Sequence, residues 1–76
     1  MDNIQVYPNP SSGTFQIDGL NSPGALIVTD LLGSILLKTQ TTNNTAQIDL
    51  SQQPKGIYLL NIQSAKQNVS KKLILN

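Results

Sequence analysis

The stretch Gly56-Ile57-Tyr58-Leu59-Leu60-Asn61-Ile62 places the tightest constraint on the fold. In a pleated strand Tyr58, Leu60 and Ile62 share one face, and Asn61 and Gln63 take the other. The segment before it, Ser51-Gln52-Gln53-Pro54-Lys55, suits no regular element. Pro54 has no N–H to give a central ladder, and Gly56 allows a backbone shape that a Cβ would resist. A long strand with one apolar face needs a second apolar layer to cover that face. This strand is therefore expected at the middle of a small β-sandwich, with the rest of the chain packed on it.

Six other short strands are expected. Ile4-Gln5-Val6-Tyr7 alternates and is stopped by Pro8-Asn9-Pro10-Ser11-Ser12-Gly13, whose prolines remove ladder donors. Thr14 to Asp18 follows, with Phe15 and Ile17 inward, and then a loop from Gly19 to Gly24. Ala25 to Thr29 is an apolar run suited to a buried strand. Asp30-Leu31-Leu32-Gly33 suits a type I turn, with Asp first and Gly fourth. Ser34 to Gln40 returns, with Ile35 and Leu37 expected inward. Ala46 to Leu50 alternates again. After the long strand, Ala65-Lys66-Gln67-Asn68 is a hairpin connection and Val69 to Leu75 the last strand. Lys71 shares parity with Val69, Leu73 and Leu75, so it either snorkels at a sheet edge or marks a bulge. No stretch carries a helical stripe, and there is no internal repeat. The fold class is all-β: a small seven-stranded antiparallel Ig-like sandwich, with strands one and two, three and four, and six and seven adjacent.

Size limits what this sandwich can do. Seventy-six residues make one domain. Apolar burial on the order of 110 kcal/mol is matched by an ordering cost also near 110 kcal/mol. Little is left for a deep cavity or a buried charge, so a catalytic site is not expected. The chain has no Cys, His, Trp, Arg or Glu. Disulfides, thiolate chemistry, zinc sites and Ser-His triads are thereby excluded. Five Lys against four Asp give a net charge of +1, which is no nucleic-acid footprint. The four acids, Asp2, Asp18, Asp30 and Asp49, are too scattered for a calcium loop, and no cofactor is expected. Asn, Gln, Ser and Thr supply 29 of the 76 residues, a polar and nearly uncharged surface that suits an extracytoplasmic protein. No apolar run reaches the length of a membrane helix. Met1-Asp2-Asn3 begins no signal peptide, so an export signal is expected upstream in a longer parent chain.

Gly56-Ile57-Tyr58 after its loop resembles the tyrosine corner of Greek-key sandwiches, where a phenol buries its ring and bonds nearby backbone. Four spaced motifs carry a wider resemblance. They are Val6-Tyr7-Pro8-Asn9-Pro10 with Gly13-Thr14-Phe15, then Val28-Thr29-Asp30-Leu31-Leu32-Gly33, then Gly56-Ile57-Tyr58-Leu59-Leu60, and the terminal Lys71-Lys72-Leu73-Ile74. In this order they resemble the type A C-terminal sorting domain of the type IX secretion system of Bacteroidetes, over essentially the whole chain. Asn76 departs from the pattern, since a basic residue often stands there.

The resemblance implies a seven-stranded Ig-like fold and a targeting module. Residues 1–76 would be a single sorting domain, excised from the end of a larger secreted protein. Its implied partners are the outer-membrane translocon and shuttle proteins, a sortase-like protease that usually removes it, and an N-terminal cargo domain in the same chain. The route implied is through the periplasm to the cell surface or the medium, with the domain itself a monomer.

Recognition candidates follow, each with a plainer alternative. Pro8-Asn9-Pro10 is a recognition loop or a stiff connector. Leu31 and Leu32, beside Gly33, fold back over an open end of the sandwich or meet a partner. Lys71 and Lys72 are solvated edge charges, or are read by a translocon groove that adds the last strand to its own sheet. Gly13, Phe15, Asp30, Gly56 and Tyr58 are expected to be structural. A different class of function is an accessory carbohydrate-binding or adhesive module. Tyr7, Phe15 and Tyr58 are all expected in or near the core, which leaves no exposed ring to stack on a sugar and counts against that alternative.

Overall fold

A computed structural model describes residues 4–20, 23–64 and 68–76. Seven strands form: β1 Gln5–Tyr7, β2 Thr14–Asp18, β3 Gly24–Thr29, β4 Ile35–Thr41, β5 Ala46–Asp49, β6 Gly56–Ser64 and β7 Asn68–Leu75. They make two antiparallel sheets, β1-β2-β5 and β4-β3-β6-β7. All three expected adjacent pairs are present, and two non-local pairs, β2 with β5 and β3 with β6, complete the sheets. The expected hairpin connection at Ala65, Lys66 and Gln67, the middle of the Gly19–Gly24 loop and the start of the chain lie outside the described residues.

Alternation builds the core. Phe15 and Ile17 from β2 and Ile48 from β5 face Leu26, Val28, Leu60 and Leu73 from the other sheet, and all seven are essentially inaccessible. Phe15 is fully enclosed between the sheets. β6 lies between β3 and β7, and its Tyr58, Leu60 and Ile62 are buried. The Tyr58 hydroxyl donates to the Pro54 carbonyl, so the ring is buried while its polar end stays satisfied. This is the tyrosine corner, at the turn from β5 into β6. Gly56 enters the strand at φ 157°, where side chains are rarely found. Gly13 is buried, and its carbonyl accepts from Leu50 N at 2.7 Å. A Cβ there would lie 3.2 Å from that of Ser51, so a side chain at this position would press the two loops apart by a few tenths of an ångström.

Two expectations are corrected. Ile35 is 62% exposed rather than inward, because the β3–β4 register shifts between Val28 and Thr29. Thr29 pairs with Ile35 but Val28 with Leu37, so one extra residue enters β4. That bulge turns Ile35 outward while Leu36 and Leu37 pack on the core. Tyr7 is 45% exposed rather than near-core. Its neighbour Val6 pairs with the buried Ile17, and the pleat sends Tyr7 to the other side. At Lys71 the register with β6 is unbroken, so the lysine sits on the inner face of an edge strand, half-buried.

Candidate functional site

The Pro8-Asn9-Pro10 segment is bound along its length to the last strand. Both peptide bonds preceding its prolines are cis. Neither proline can donate to a sheet, and the Asn9 side chain supplies the missing groups. Its Oδ1 accepts from Ile74 N at 3.0 Å and its Nδ2 donates to Lys72 O at 2.7 Å. Ser11 continues the contact: its N–H donates to Ile74 O at 2.9 Å and its carbonyl accepts from Asn76 N at 2.9 Å. Ser11 and Leu75 thereby form a short parallel bridge in an otherwise antiparallel molecule. Ser11 is 5% exposed and satisfied, its Oγ donating to Thr14 O and accepting from Gly13 N. The far half of β7 therefore does not present the open edge that addition of this strand to another sheet requires. The bonds reach Lys72, Ile74 and Asn76.

The β3–β4 turn is built around Asp30. Its Oδ1 accepts from Leu32 N at 2.9 Å and Ser34 N at 3.0 Å, and its carbonyl accepts from Gly33 N at 3.1 Å. Gly33 lies at φ 94°, a left-handed conformation that favours glycine. Leu31 and Leu32 do not fold back over the sandwich; they are 63% and 93% exposed. Lys71 and Lys72 point to opposite faces of β7. Lys71 pairs with the inward Leu60 and Lys72 with the outward Leu59.

Sequence reasoning missed two further exposed apolar residues, Ile57 and Leu59, and the exposure of Ile35. The inward parity of Tyr58 and Leu60 was the available signal for the first two, since it forces Ile57 and Leu59 outward. On the opposite sheet the outer face is polar. The Tyr7 hydroxyl donates to Asp18 Oδ2 and Gln16 Nε2 to Asp18 Oδ1, the latter at 3.1 Å. These bonds hold the Asp18 carboxyl below its ordinary value, and the bond to Asp18 raises the Tyr7 phenol. A shallow groove of about 570 Å³ runs between Tyr7, Thr14, Gln16, Gln47 and Ser51. Among the described residues no acidic cluster could hold a metal ion.

The molecule is an all-β, Ig-like sandwich whose last strand is fastened by Asn9 and Ser11. The chain belongs to the secretion system C-terminal sorting domain family, whose model matches residues 5–76. That membership agrees with the resemblance to type IX sorting domains of type A, and a domain of this family marks a protein for secretion or the cell surface. The fold is also similar to part of PorZ of Porphyromonas gingivalis, described as an essential bacterial surface component of the type-IX secretion system. The TM-score is 0.78 and the identity 19%, over 97% of this chain and 11% of that one. The chain thus spans about a tenth of that protein. No curated protein matches the chain in sequence. Among the described residues no helix is long and apolar enough to cross a membrane.

Proposed function

We propose that this chain is the signal that directs an N-terminally attached cargo through the outer-membrane type IX translocon. A sortase-like protease then removes it. Residues 1–76 act as one domain at the end of a larger secreted protein, which crosses the periplasm before reaching the surface or the medium. The domain itself works as a monomer. The observation that carries the reading is the family match, which runs from β1 through the last residue of the chain. The four motifs support it by their places in the fold. The first fastens β7, the second forms an exposed turn, the third anchors the core, and the fourth puts one lysine on each face of the edge strand. The test is a periplasmic reporter with and without this chain at its C-terminus, in a host that has the machinery. Export only with the chain is the expected result. Export of the bare reporter overturns the reading.

One observation favours a second reading. Tyr7 is exposed beside a polar groove, which restores the ring that an accessory carbohydrate-binding module requires. Titration with soluble glycans, followed by the chemical shifts of Tyr7 and Gln16, separates the two readings. Shifts confined to this groove favour the accessory module, and unchanged spectra leave the sorting signal alone.

A further inference from the structure

The solvent face of an antiparallel sheet is ordinarily polar. Two cross-strand rows on the outer face of β4-β3-β6-β7 are mainly polar. One is Lys38, Ile27, Asn61 and Ser70, and the other Gln40, Ala25, Gln63 and Asn68. At the turn end the face changes character. Ile35, Thr29, Leu59 and Lys72 form the next row, about 14 Å across at the usual strand spacing. Beyond it lie Ile57, which pairs with Ile74, and the turn that carries Leu31 and Leu32. Ile35, Leu31 and Leu32 are each more than 60% exposed, and Ile57 and Leu59 about 40%.

The fold does not need these side chains. Type I turns accept most residues at their central positions, and Asp30 and Gly33 already satisfy this one. The bulge in β4 turns Ile35 away from the core rather than toward it. Both signs of charge border this corner. Lys38 and Lys72 lie on this outer face. The Asp30 carboxylate lies in the adjoining turn, where it accepts from two backbone N–H groups, while Asp18 and Asp49 belong to the opposite sheet.

Building on the sorting-signal reading, we infer that this corner, formed by Leu31, Leu32, Ile35, Ile57, Leu59 and Lys72, is the surface the export machinery grips. The occupant is a folded protein with an apolar centre and carboxylates opposite Lys72. A second copy would use the same corner on both partners, and a concentration-dependent dimer would reveal it. A membrane fits poorly, because each lysine adds only about 1 kcal/mol at an anionic surface and, among the described residues, this face has two. Lys71 has no part in the grip, since it faces inward from the same strand.

The test uses the reporter ending in this chain, with export and melting temperature read together. Leu32→Ser, Ile35→Thr and Leu59→Thr combined should melt near the parent yet lower export about tenfold or more, as loss of apolar anchors does. Should the triple variant fail to fold, Leu32→Ser alone serves, because that residue is 93% exposed. Lys72→Glu should also lower export, while Lys71→Gln and the polar-row pair Gln40→Ala with Gln63→Ala should export normally. Normal export of the folded triple variant overturns the grip while the sorting reading stands, provided the bare reporter still fails to leave. Export of the bare reporter removes the sorting reading first. Two other results overturn the grip. One is a dimer in sedimentation equilibrium that the triple variant abolishes. The other is retention on phosphatidylglycerol vesicles that the triple variant loses.

Discussion

Asn9 and Ile74 meet as strand neighbours, although Asn9 belongs to no strand and lies 65 residues earlier in the chain. The side-chain amide accepts from Ile74 and donates to Lys72, doing what a backbone amide would do in a ladder. Asn9→Leu keeps the approximate size and removes both bonds. It should lower stability by about 1–2 kcal/mol, at 0.5–1.5 kcal/mol per bond. The freed edge should also promote self-association. Sedimentation velocity across a range of concentrations checks this: the parent should stay monomeric, and the variant should show a concentration-dependent shift.

Tyr58 combines a buried ring with a satisfied hydroxyl. Tyr58→Ala should cost about 3–5 kcal/mol, a large part of the stability of a domain this small. Tyr58→Phe should cost only about 1 kcal/mol, from the bond to Pro54. Urea denaturation of both measures the difference. A Tyr58→Ala protein as stable as the parent would deny β6 its central place.

The turn offers a cleaner dissection. Asp30→Ala removes an acceptor shared by two N–H groups and should cost about 1–2 kcal/mol. Gly33→Ala leaves every bond in place but puts a Cβ on a residue at φ 94°, and should cost about 1 kcal/mol from strain alone. No heavy atom lies within 4 Å of that Cβ, so a larger loss could not be ascribed to a clash. Thermal melts of the two variants and the pair provide the comparison.

The Tyr7–Asp18 bond links stability to pH at both ends of the scale. Asp18 is held below its ordinary 3.8, mainly by Tyr7 and then Gln16. Its contribution is complete above 3.8 and is lost as pH falls through the lowered folded value. Tyr7 is raised above its ordinary 10.0 by the same bond. Its contribution is complete below 10.0 and is lost as pH rises through the raised folded value. Asp49 adds to the acid limb, because the Ser51 hydroxyl and then its backbone N–H hold it low. Tyr7→Phe should weaken the alkaline limb and flatten the acid one without removing it. Melting temperatures taken from pH 2 to pH 11 would show whether it does.

Much of the fold was legible because alternation fixes which side chains meet the core. The inward sets of β2, β5 and β6 follow directly from their spacing. Ile35 was misplaced because a single added residue reverses parity, and no sequence signal marks that bulge. Tyr7 was misplaced through its aromatic character, although its alternation with Ile4 and Val6 points outward. The fastening of β7 by Asn9 was not legible, since two prolines indicate only that a strand ends there. The exposed corner joins residues from a turn and three strands. Its members were visible singly, but their adjacency depends on the β3–β6 pairing, which local sequence does not specify.

The parallel bridge between Ser11 and Leu75 has a mechanical consequence. Two parallel segments, one pulled toward the start of the chain and the other toward its end, slide past one another. Tension between the ends of the molecule therefore reaches the bonds of Asn9, Ser11 and Asn76 lengthwise, and they share the load instead of parting one by one. The same contacts pulled sideways, away from β7, would open in sequence. On this geometry the contact should resist a lengthwise pull better than a sideways one.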